Sequence, residues 1–165
     1  MIPFQPLTSE SFAPYGHVAG DRQGVTKSIR GGAVCLTKSP AVFRHDPEAT
    51  EFALDFYDVE AASSALRITQ AERHPHSAQM FVPMFVASYL VIVWEGHPDA
   101  SAARGFIGGP EDLVIYHPGV WHHGIIALGT RGRFASTMWR VPGGSDVEFL
   151  TLETALHAQV GEGVS

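Results

Sequence analysis

Short stretches in which apolar and polar residues alternate recur from residue 52 to residue 152, and this period of two predicts β-strands. The predicted strands are Phe52–Val59, Ala65–His74, Gln79–Pro83, Tyr89–Trp94, Arg104–Ile107, Leu113–His117, His122–Leu128, Phe134–Val141 and Val147–Leu152. Clusters of Gly, Pro, Asp and Ser lie between them and mark turns. Many short strands with few helices predict an all-β fold, either a closed barrel or a two-sheet jelly roll.

The two ends of the chain differ from this pattern. Near the start, Thr8 or Ser9 can cap a short helical turn through Ser11–Ala13. Residues 20–50 have no clean period, and we expect one or two edge strands with loops there. After the last predicted strand, residues 155–160 are predicted to form one or two helical turns. These short helices are therefore peripheral to the predicted barrel.

Length and composition agree with one barrel and no more. The chain has 165 residues, of which 45% are hydrophobic, and this is enough for one core. We therefore expect residues 1–165 to form a single domain. The 17 Gly and 11 Pro residues fit short strands joined by many turns.

Charge and hydropathy narrow the possible partners. The net charge is −6, and the 11 Lys and Arg residues form no run that could follow a phosphate backbone, so nucleic acid is not an expected partner. The longest apolar stretch, Tyr89–Trp94, is too short to span a bilayer, and no membrane association is expected. The first residues lack the features of a signal peptide, and Cys35 has no second cysteine to pair with. These features predict a cytoplasmic protein.

Histidines supply the candidate chemistry, because they are clustered along the chain. The clustered residues are His74 and His76 after Glu72 in the first group, and His117, His122 and His123 in the second. Strand alternation predicts that Leu66, Ile68, Gln70, Glu72 and His74 share one face. That face begins apolar and ends polar, as expected of a strand that runs from the packed end of a barrel to its open mouth. A buried Glu72–His74 pair that binds no ligand is the structural alternative.

Two motifs resemble those of a known family. Glu72-Arg73-His74 followed by Gln79 has the spacing of the first metal-binding motif of cupin barrels, and Pro118–His122 resembles the second. More specifically, residues 72–84 and 116–123 resemble two stretches of the ureidoglycolate lyase family, in the same order. Smaller similarities lie at Phe12–Gly16 and Gly143–Asp146. The resemblance implies a cupin-type double-stranded β-barrel with short peripheral helices.

The resemblance also implies an activity, the cleavage of (S)-ureidoglycolate to glyoxylate and urea in allantoin and purine nitrogen catabolism. Under this hypothesis His74 and His122 share general acid–base catalysis, and Glu72 orients a histidine or acts as the base. Gln79 and Tyr116 would hydrogen-bond the ureido or carboxylate oxygens. The substrate carboxylate needs a guanidinium, for which Arg140 and Arg30 are the candidates.

A metal and a dimer are further implications of the resemblance. His74, His122 and Glu72 could hold a divalent metal, and the resemblance implies Ni²⁺. Glu72 stands where a metal cupin has its first His and Gln79 where it has a Glu, so the sequence favours acid–base elimination over a tight metal centre. A homodimer that acts on a small molecule is expected. Another cupin enzyme, such as a metal-dependent oxygenase or isomerase, and a non-catalytic ureide-binding or sugar-acid-binding module remain as alternatives.

Overall fold

A computed structural model describes residues 2–20, 24–63 and 65–159. These residues form short β-strands, one four-residue helix and a 3-10 turn at Arg30–Gly32. The elements are β1 (Phe4–Pro6), α1 (Ser9–Phe12), β2 (Gly16–Ala19), β3 (Val25–Ile29), β4 (Val34–Lys38), β5 (Glu51–Val59), β6 (Ala65–Arg73), β7 (Gln79–Phe85), β8 (Ser88–Trp94), β9 (Ala103–Gly108), β10 (Leu113–Tyr116), β11 (Trp121–His122), β12 (Ile126–Leu128), β13 (Gly132–Arg140) and β14 (Glu148–Gln159).

Two sheets face one another and form the barrel. The seven-stranded sheet has the order β1-β9-β8-β11-β6-β14, with β12 also paired to β8. The five-stranded sheet has the order β2-β10-β7-β13-β5, and β3 and β4 form a separate hairpin. From β5 onward the chain crosses repeatedly from one sheet to the other, which is the connectivity of a jelly roll. The predicted all-β class is confirmed.

Strand β8 shows how the core is divided. Its side chains are buried on both faces: Tyr89, Val91 and Val93 belong to the core between the two sheets, and Leu90 and Ile92 belong to a second cluster on the other face of the seven-stranded sheet. A strand that is buried on both sides reads as a continuous apolar run, and the sequence Tyr89–Trp94 is such a run.

Helix α1 closes the end of the central core. The Thr8 hydroxyl accepts a hydrogen bond from the backbone N–H of Ser11 at 3.1 Å. Of the two predicted cap residues, Thr8 and Ser9, Thr8 is therefore the N-cap. Phe12 is fully buried at the helix end.

Across the described ranges no helix has the length and apolar character needed to cross a membrane.

The predicted helical turns at residues 155–160 are wrong over the described part, because β14 continues as a strand to Gln159. Leu156 and Ala158 alternate inward against β6 and join the second apolar cluster, so strand pairing overrides local helix propensity. Val160, the end of that predicted segment, lies outside the described residues. The predicted single strand His122–Leu128 is instead two strands, β11 and β12.

The predicted common face along β6 is correct for Glu72 and His74, which both line one cavity, but wrong for the apolar residues grouped with them. Leu66 and Ile68 pack in the second apolar cluster together with Ala71, whereas Glu72 lies on the opposite face. The alternation breaks at the point where the pairing of β6 with β14 shifts register, between Ile68 and Gln70. The apolar and polar halves of the strand therefore face opposite sides of the sheet.

Candidate active site

A cavity of about 500 Å³ opens where β6 ends and β7 begins, and it is walled by strands of both sheets and by the loop before β14. Its lining residues are Asp55, Tyr57, Glu72, His74, Gln79, Met138, Arg140, Ser145, Asp146, Val147 and Phe149. His122 lies directly behind this lining, because β11 pairs with β6 in a register that places it opposite Glu72. The cavity contains most of the polar residues that the sequence motifs single out.

Both buried histidines are oriented by the backbone. His74 Nδ1 lies 2.9 Å from the carbonyl oxygen of Asp146, and His122 Nδ1 lies 2.9 Å from that of Val120. A carbonyl oxygen only accepts hydrogen bonds, so Nδ1 carries the proton in each ring. The Nε2 lone pairs are then directed elsewhere. His74 Nε2 is buried and has no hydrogen-bond partner among the described residues.

The Nε2 atoms converge with a carboxylate and an amide. Glu72, His74 and His122 each offer a ligand atom, and these atoms lie within 4.8 Å of one another. His122 Nε2 is 3.2 Å from Gln79 Oε1 and 3.6 Å from Glu72 Oε1. The structure therefore brings together all four residues of the two motifs, although they come from different strands.

Burial sets the protonation of this cluster. It lowers the pKa of His122 to about 3, with the nearby His74 as a second cause. Burial also lowers the pKa of His74 and raises that of the Glu72 carboxyl group. Both imidazoles are therefore neutral at pH 7 and keep their lone pairs. Two neutral imidazoles and a carboxylate, each imidazole fixed through its other nitrogen, are a donor set that fits a divalent cation.

Arg140 is the guanidinium of the cavity wall, and carboxylates hold it on two sides. Its terminal nitrogen lies 2.6 Å from Asp55 Oδ2, and its Nε lies 3.8 Å from Asp146 Oδ2. Three carboxylates, those of Asp55, Glu72 and Asp146, thus share the lining with one guanidinium. The cavity has an excess of negative charge that a bound dication would offset.

Three lining residues with titratable side chains were missed by sequence reasoning. Asp55 and Tyr57 lie two residues apart on β5, and Asp146 lies in the loop before β14. The pKa of Tyr57 is raised by burial and, to a lesser extent, by the Glu72 charge. The available signal for Asp55 and Tyr57 was a pair of polar residues at period-two spacing in a predicted strand, without any motif to mark them. Asp146 ends the Gly143–Asp146 similarity, but that similarity was not used to select site residues.

Two predicted substrate contacts lie away from the cavity lining. Tyr116 is buried in the central core, and its ring stacks on His122 with centroids 4.1 Å apart and planes within 9°. Its hydroxyl has no hydrogen-bond partner in the described part of the chain. Arg30 lies in the exposed turn between β3 and β4, at a φ of 54°. Within one chain, therefore, Tyr116 supports His122 and Arg30 does not line the cavity.

The neighbouring charged residues of the motifs point elsewhere. Arg73 lies on the other face of β6, where it pairs with Glu148 at 2.6 Å and stacks over Trp121. His76 is partly exposed and lies 3.0 Å from an Asp46 carboxylate oxygen. His123 Nδ1 bonds the carbonyl of Gln70. Of the adjacent histidines His122 and His123, it is His122, the last residue of β11, that reaches the cluster, as the motif spacing predicted.

A two-sheet jelly roll with two imidazoles and a carboxylate converging at one end defines a cupin-type protein. Within that class, the chain belongs to the ureidoglycolate lyase family, whose model matches residues 1–159. A provisionally named ureidoglycolate lyase of Agrobacterium fabrum is 33% identical over 96% of this chain and 94% of its own. A ureidoglycolate lyase of Pseudomonas syringae pv. syringae is 30% identical over 79% of this chain and 78% of its own. A dTDP sugar isomerase from Desulfovibrio desulfuricans G20 superposes with a TM-score of 0.48 at 16% identity, covering 79% of this chain and 83% of that one.

Acidification is expected to destabilise the fold, because His122 is buried in its neutral form. Its pKa in the folded protein, about 3, lies below the ordinary 6.5, so the unfolded chain binds the proton more tightly. The stabilisation is complete above pH 6.5 and should fall by about 1.4 kcal/mol per pH unit below it, towards pH 3. Urea unfolding with chelator at pH 7, 6 and 5 measures this slope. The His122→Gln variant, which has no imidazole there, should show a smaller slope, and equal slopes would contradict the assignment.

Proposed function

We propose that this protein is a ureidoglycolate lyase that cleaves (S)-ureidoglycolate into glyoxylate and urea, in the breakdown of allantoin and other purine nitrogen. The observation that carries the proposal is the buried, partner-free Nε2 of His74, which faces Glu72 in a cavity that also contains Arg140. Membership of the family supports the same reaction.

The reaction needs one proton to leave and another to arrive. The substrate hydroxyl loses its proton, a carbonyl forms on that carbon, the carbon–nitrogen bond breaks, and the leaving nitrogen takes up a proton. In the protein without a cation, the His74 Nε2 lone pair accepts the hydroxyl proton. Burial raises the pKa of Glu72, and the protonated fraction of this carboxyl group supplies the proton to the nitrogen. His122, with a pKa of about 3, is a poor proton carrier at pH 7 and orients Glu72 and Gln79.

A divalent cation is compatible with the same residues. Glu72, His74 and His122 would hold it, and the family resemblance suggests Ni²⁺. When bound, such a cation polarises the oxygens of the substrate. His74 Nε2 would then serve as a ligand and no longer as a base. The excess of carboxylates around the cavity supports this arrangement, since the substrate is itself an anion.

The decisive experiment measures three products together. Purified protein is incubated with (S)-ureidoglycolate, and glyoxylate, urea and ammonia are assayed with and without a chelator. Equal amounts of glyoxylate and urea, without ammonia, are expected. Ammonia release would indicate an amidohydrolase, and the absence of all three products would overturn the proposal. Activity that survives complete metal removal would indicate that His74 is the base. Activity that returns only with added Ni²⁺ would indicate that His74 is a metal ligand.

Two other functions are separated by the same preparation. A metal-dependent oxygenase or isomerase acting on a small acid or sugar would bind stoichiometric metal and leave ureidoglycolate intact. A non-catalytic module would bind a ureide or sugar acid saturably without turnover. The proton-transfer groups in the cavity favour the lyase over both.

Arg140 is proposed to bind the substrate carboxylate, with Asp55 released as the substrate enters. The Arg140→Ala variant should raise KM by about 10–100-fold, the equivalent of a charge-assisted hydrogen bond, with a smaller effect on kcat. Arg133→Ala is the matched control, because Arg133 lies on the same strand and pairs with Asp58 at 3.8 Å, outside the cavity. Arg30→Ala tests the other sequence candidate. A larger rise in KM for Arg30→Ala than for Arg140→Ala would reverse the assignment.

A homodimer is proposed on the outer face of the five-stranded sheet. Phe52, Leu54 and Phe56 alternate along β5, its edge strand, and each is more than half exposed. An apolar cavity of about 430 Å³ on this face includes Phe52 and Met80. Exposed apolar surface of this kind typically marks an interface.

Leu54→Glu is therefore expected to convert the dimer into a monomer. It places a charge in the middle of the apolar face, and light scattering after size-exclusion chromatography measures the mass. His157→Glu adds the same charge on exposed β14 and should leave the mass unchanged. A wild-type monomer at micromolar concentration would contradict the proposal.

We also propose that residues 1–165 act as one cytoplasmic domain.

A further inference from the structure

One residue of the cavity wall connects both sides of the site. Asp146 accepts the His74 Nδ1–H through its backbone carbonyl at 2.9 Å. Its carboxylate accepts the backbone N–H of Val141 through Oδ1 at 2.9 Å, and Oδ2 lies 3.8 Å from the Arg140 Nε. Among the described residues, Asp146 is the one that hydrogen-bonds the His74 ring and also pairs with the Arg140 guanidinium, so it links the two halves of the site.

The Val141 contact closes a loop. Residues 141–146 leave β13 and return before β14, with Gly143 at a φ of 66° and the Gly144 N–H bonded to the Val141 carbonyl at 3.0 Å. The Asp146 side chain joins the two ends of this loop. Because the backbone at residue 146 is fixed in this way, its carbonyl oxygen is held in front of the His74 ring.

The position of that carbonyl decides which nitrogen of His74 carries the proton. With Nδ1–H donated to Asp146, Nε2 presents a lone pair to the cavity, either to accept a proton or to bind a cation. In the other tautomer Nε2 would carry the hydrogen and could do neither. The chemistry at His74 therefore depends on a carbonyl that belongs to another residue.

We infer that Asp146 is a positioning residue, whose side chain fixes the loop so that its own carbonyl holds His74 in the Nδ1–H tautomer. The role in catalysis rests on the proposed lyase function, but the tautomer itself does not. Asp146→Ala removes the acceptor for the Val141 N–H. Asp146→Asn keeps an amide oxygen that can accept that N–H and removes only the charge.

The first readout is a long-range ¹H–¹⁵N correlation spectrum of the histidine side chains, recorded after chelator treatment. The His74 signals are identified by their loss in His74→Gln. Wild type and Asp146→Asn should show the Nδ1–H form, and Asp146→Ala should shift towards the Nε2–H form. Ser145→Ala, which removes the neighbouring hydroxyl bonded to the Val147 carbonyl, is the control and should match wild type.

The second readout is the kinetics of ureidoglycolate cleavage. Asp146→Ala should lower kcat at least tenfold, and Asp146→Asn should recover most of it. An unchanged Nδ1–H tautomer in folded Asp146→Ala would overturn the inference. If Asp146→Ala does not fold, a shifted tautomer in Asp146→Asn, whose loop bond is kept, would overturn it instead. A tautomer shift in a protein that lacks lyase activity would support the positioning role and reject the proposed function.

Discussion

Replacing His74 with alanine should lower kcat for ureidoglycolate cleavage by about 10²–10⁴-fold, the usual contribution of a positioned proton-transfer group. The loss is expected in either mode of action, because the same Nε2 lone pair serves as the base or as a ligand. Initial rates of glyoxylate release, measured with substrate saturating, give kcat directly. A fall in kcat of less than tenfold would remove His74 from the chemistry.

The control for this variant lies two residues further along the chain. His76 is partly exposed, pairs with Asp46 and does not line the cavity, so His76→Ala should keep kcat within about twofold, as expected of a surface substitution. The His122→Ala variant separates the two modes further. If His122 only orients its neighbours, its loss should reduce kcat less than the loss of His74.

Replacing Tyr116 with alanine should lower the free energy of unfolding by about 3–5 kcal/mol, because it empties a ring-sized space in the central core. Tyr116 is 1% exposed, stacks on His122 and makes edge contacts with Phe12 and Phe81. Urea unfolding followed by far-UV circular dichroism measures the change. The Tyr116→Ala variant should also have a lower kcat, because His122 would lose the ring against which it packs.

The Tyr116→Phe variant decides what the hydroxyl does. That hydroxyl has no hydrogen-bond partner in the described ranges, so its removal should change stability by less than about 1 kcal/mol and leave KM unchanged. The sequence-based prediction, in which Tyr116 hydrogen-bonds the substrate, expects a rise in KM instead. A stable Phe variant with a KM raised tenfold or more would restore that prediction.

Local periodicity was enough to predict the class of fold and the positions of its central strands. β8 and β13 could be predicted because their apolar positions are determined by burial alone. The errors arose where pairing between distant strands decides the structure. β14 extends to Gln159 because β6 offers it hydrogen bonds, and the face of β6 reverses at the point where that pairing is irregular. Neither the extension of β14 nor the reversal in β6 can be recognised from the local sequence of that strand alone.

The residues of the candidate site also fall into those that the sequence could predict and those that it could not. Glu72, His74, Gln79 and His122 could be found because their spacing follows two motifs, and the structure places them around one point. Asp55 was missed because its importance comes from Arg140, which lies 85 positions away in the sequence. Asp146 was missed because its contact with His74 spans 72 positions. Arg30 was chosen by motif comparison, and its turn lies away from the cavity within one chain.

The polar contacts of the cavity connect residues far apart in sequence: His122 and Gln79 are 43 positions apart, and His74 and Asp146 are 72 apart. Contacts of such long range form late, because the intervening chain must close before they can be made. We therefore expect the candidate site to be incomplete in any partly folded form that lacks β14 and the loop before it. A newly made chain should complete this site only when β14 docks.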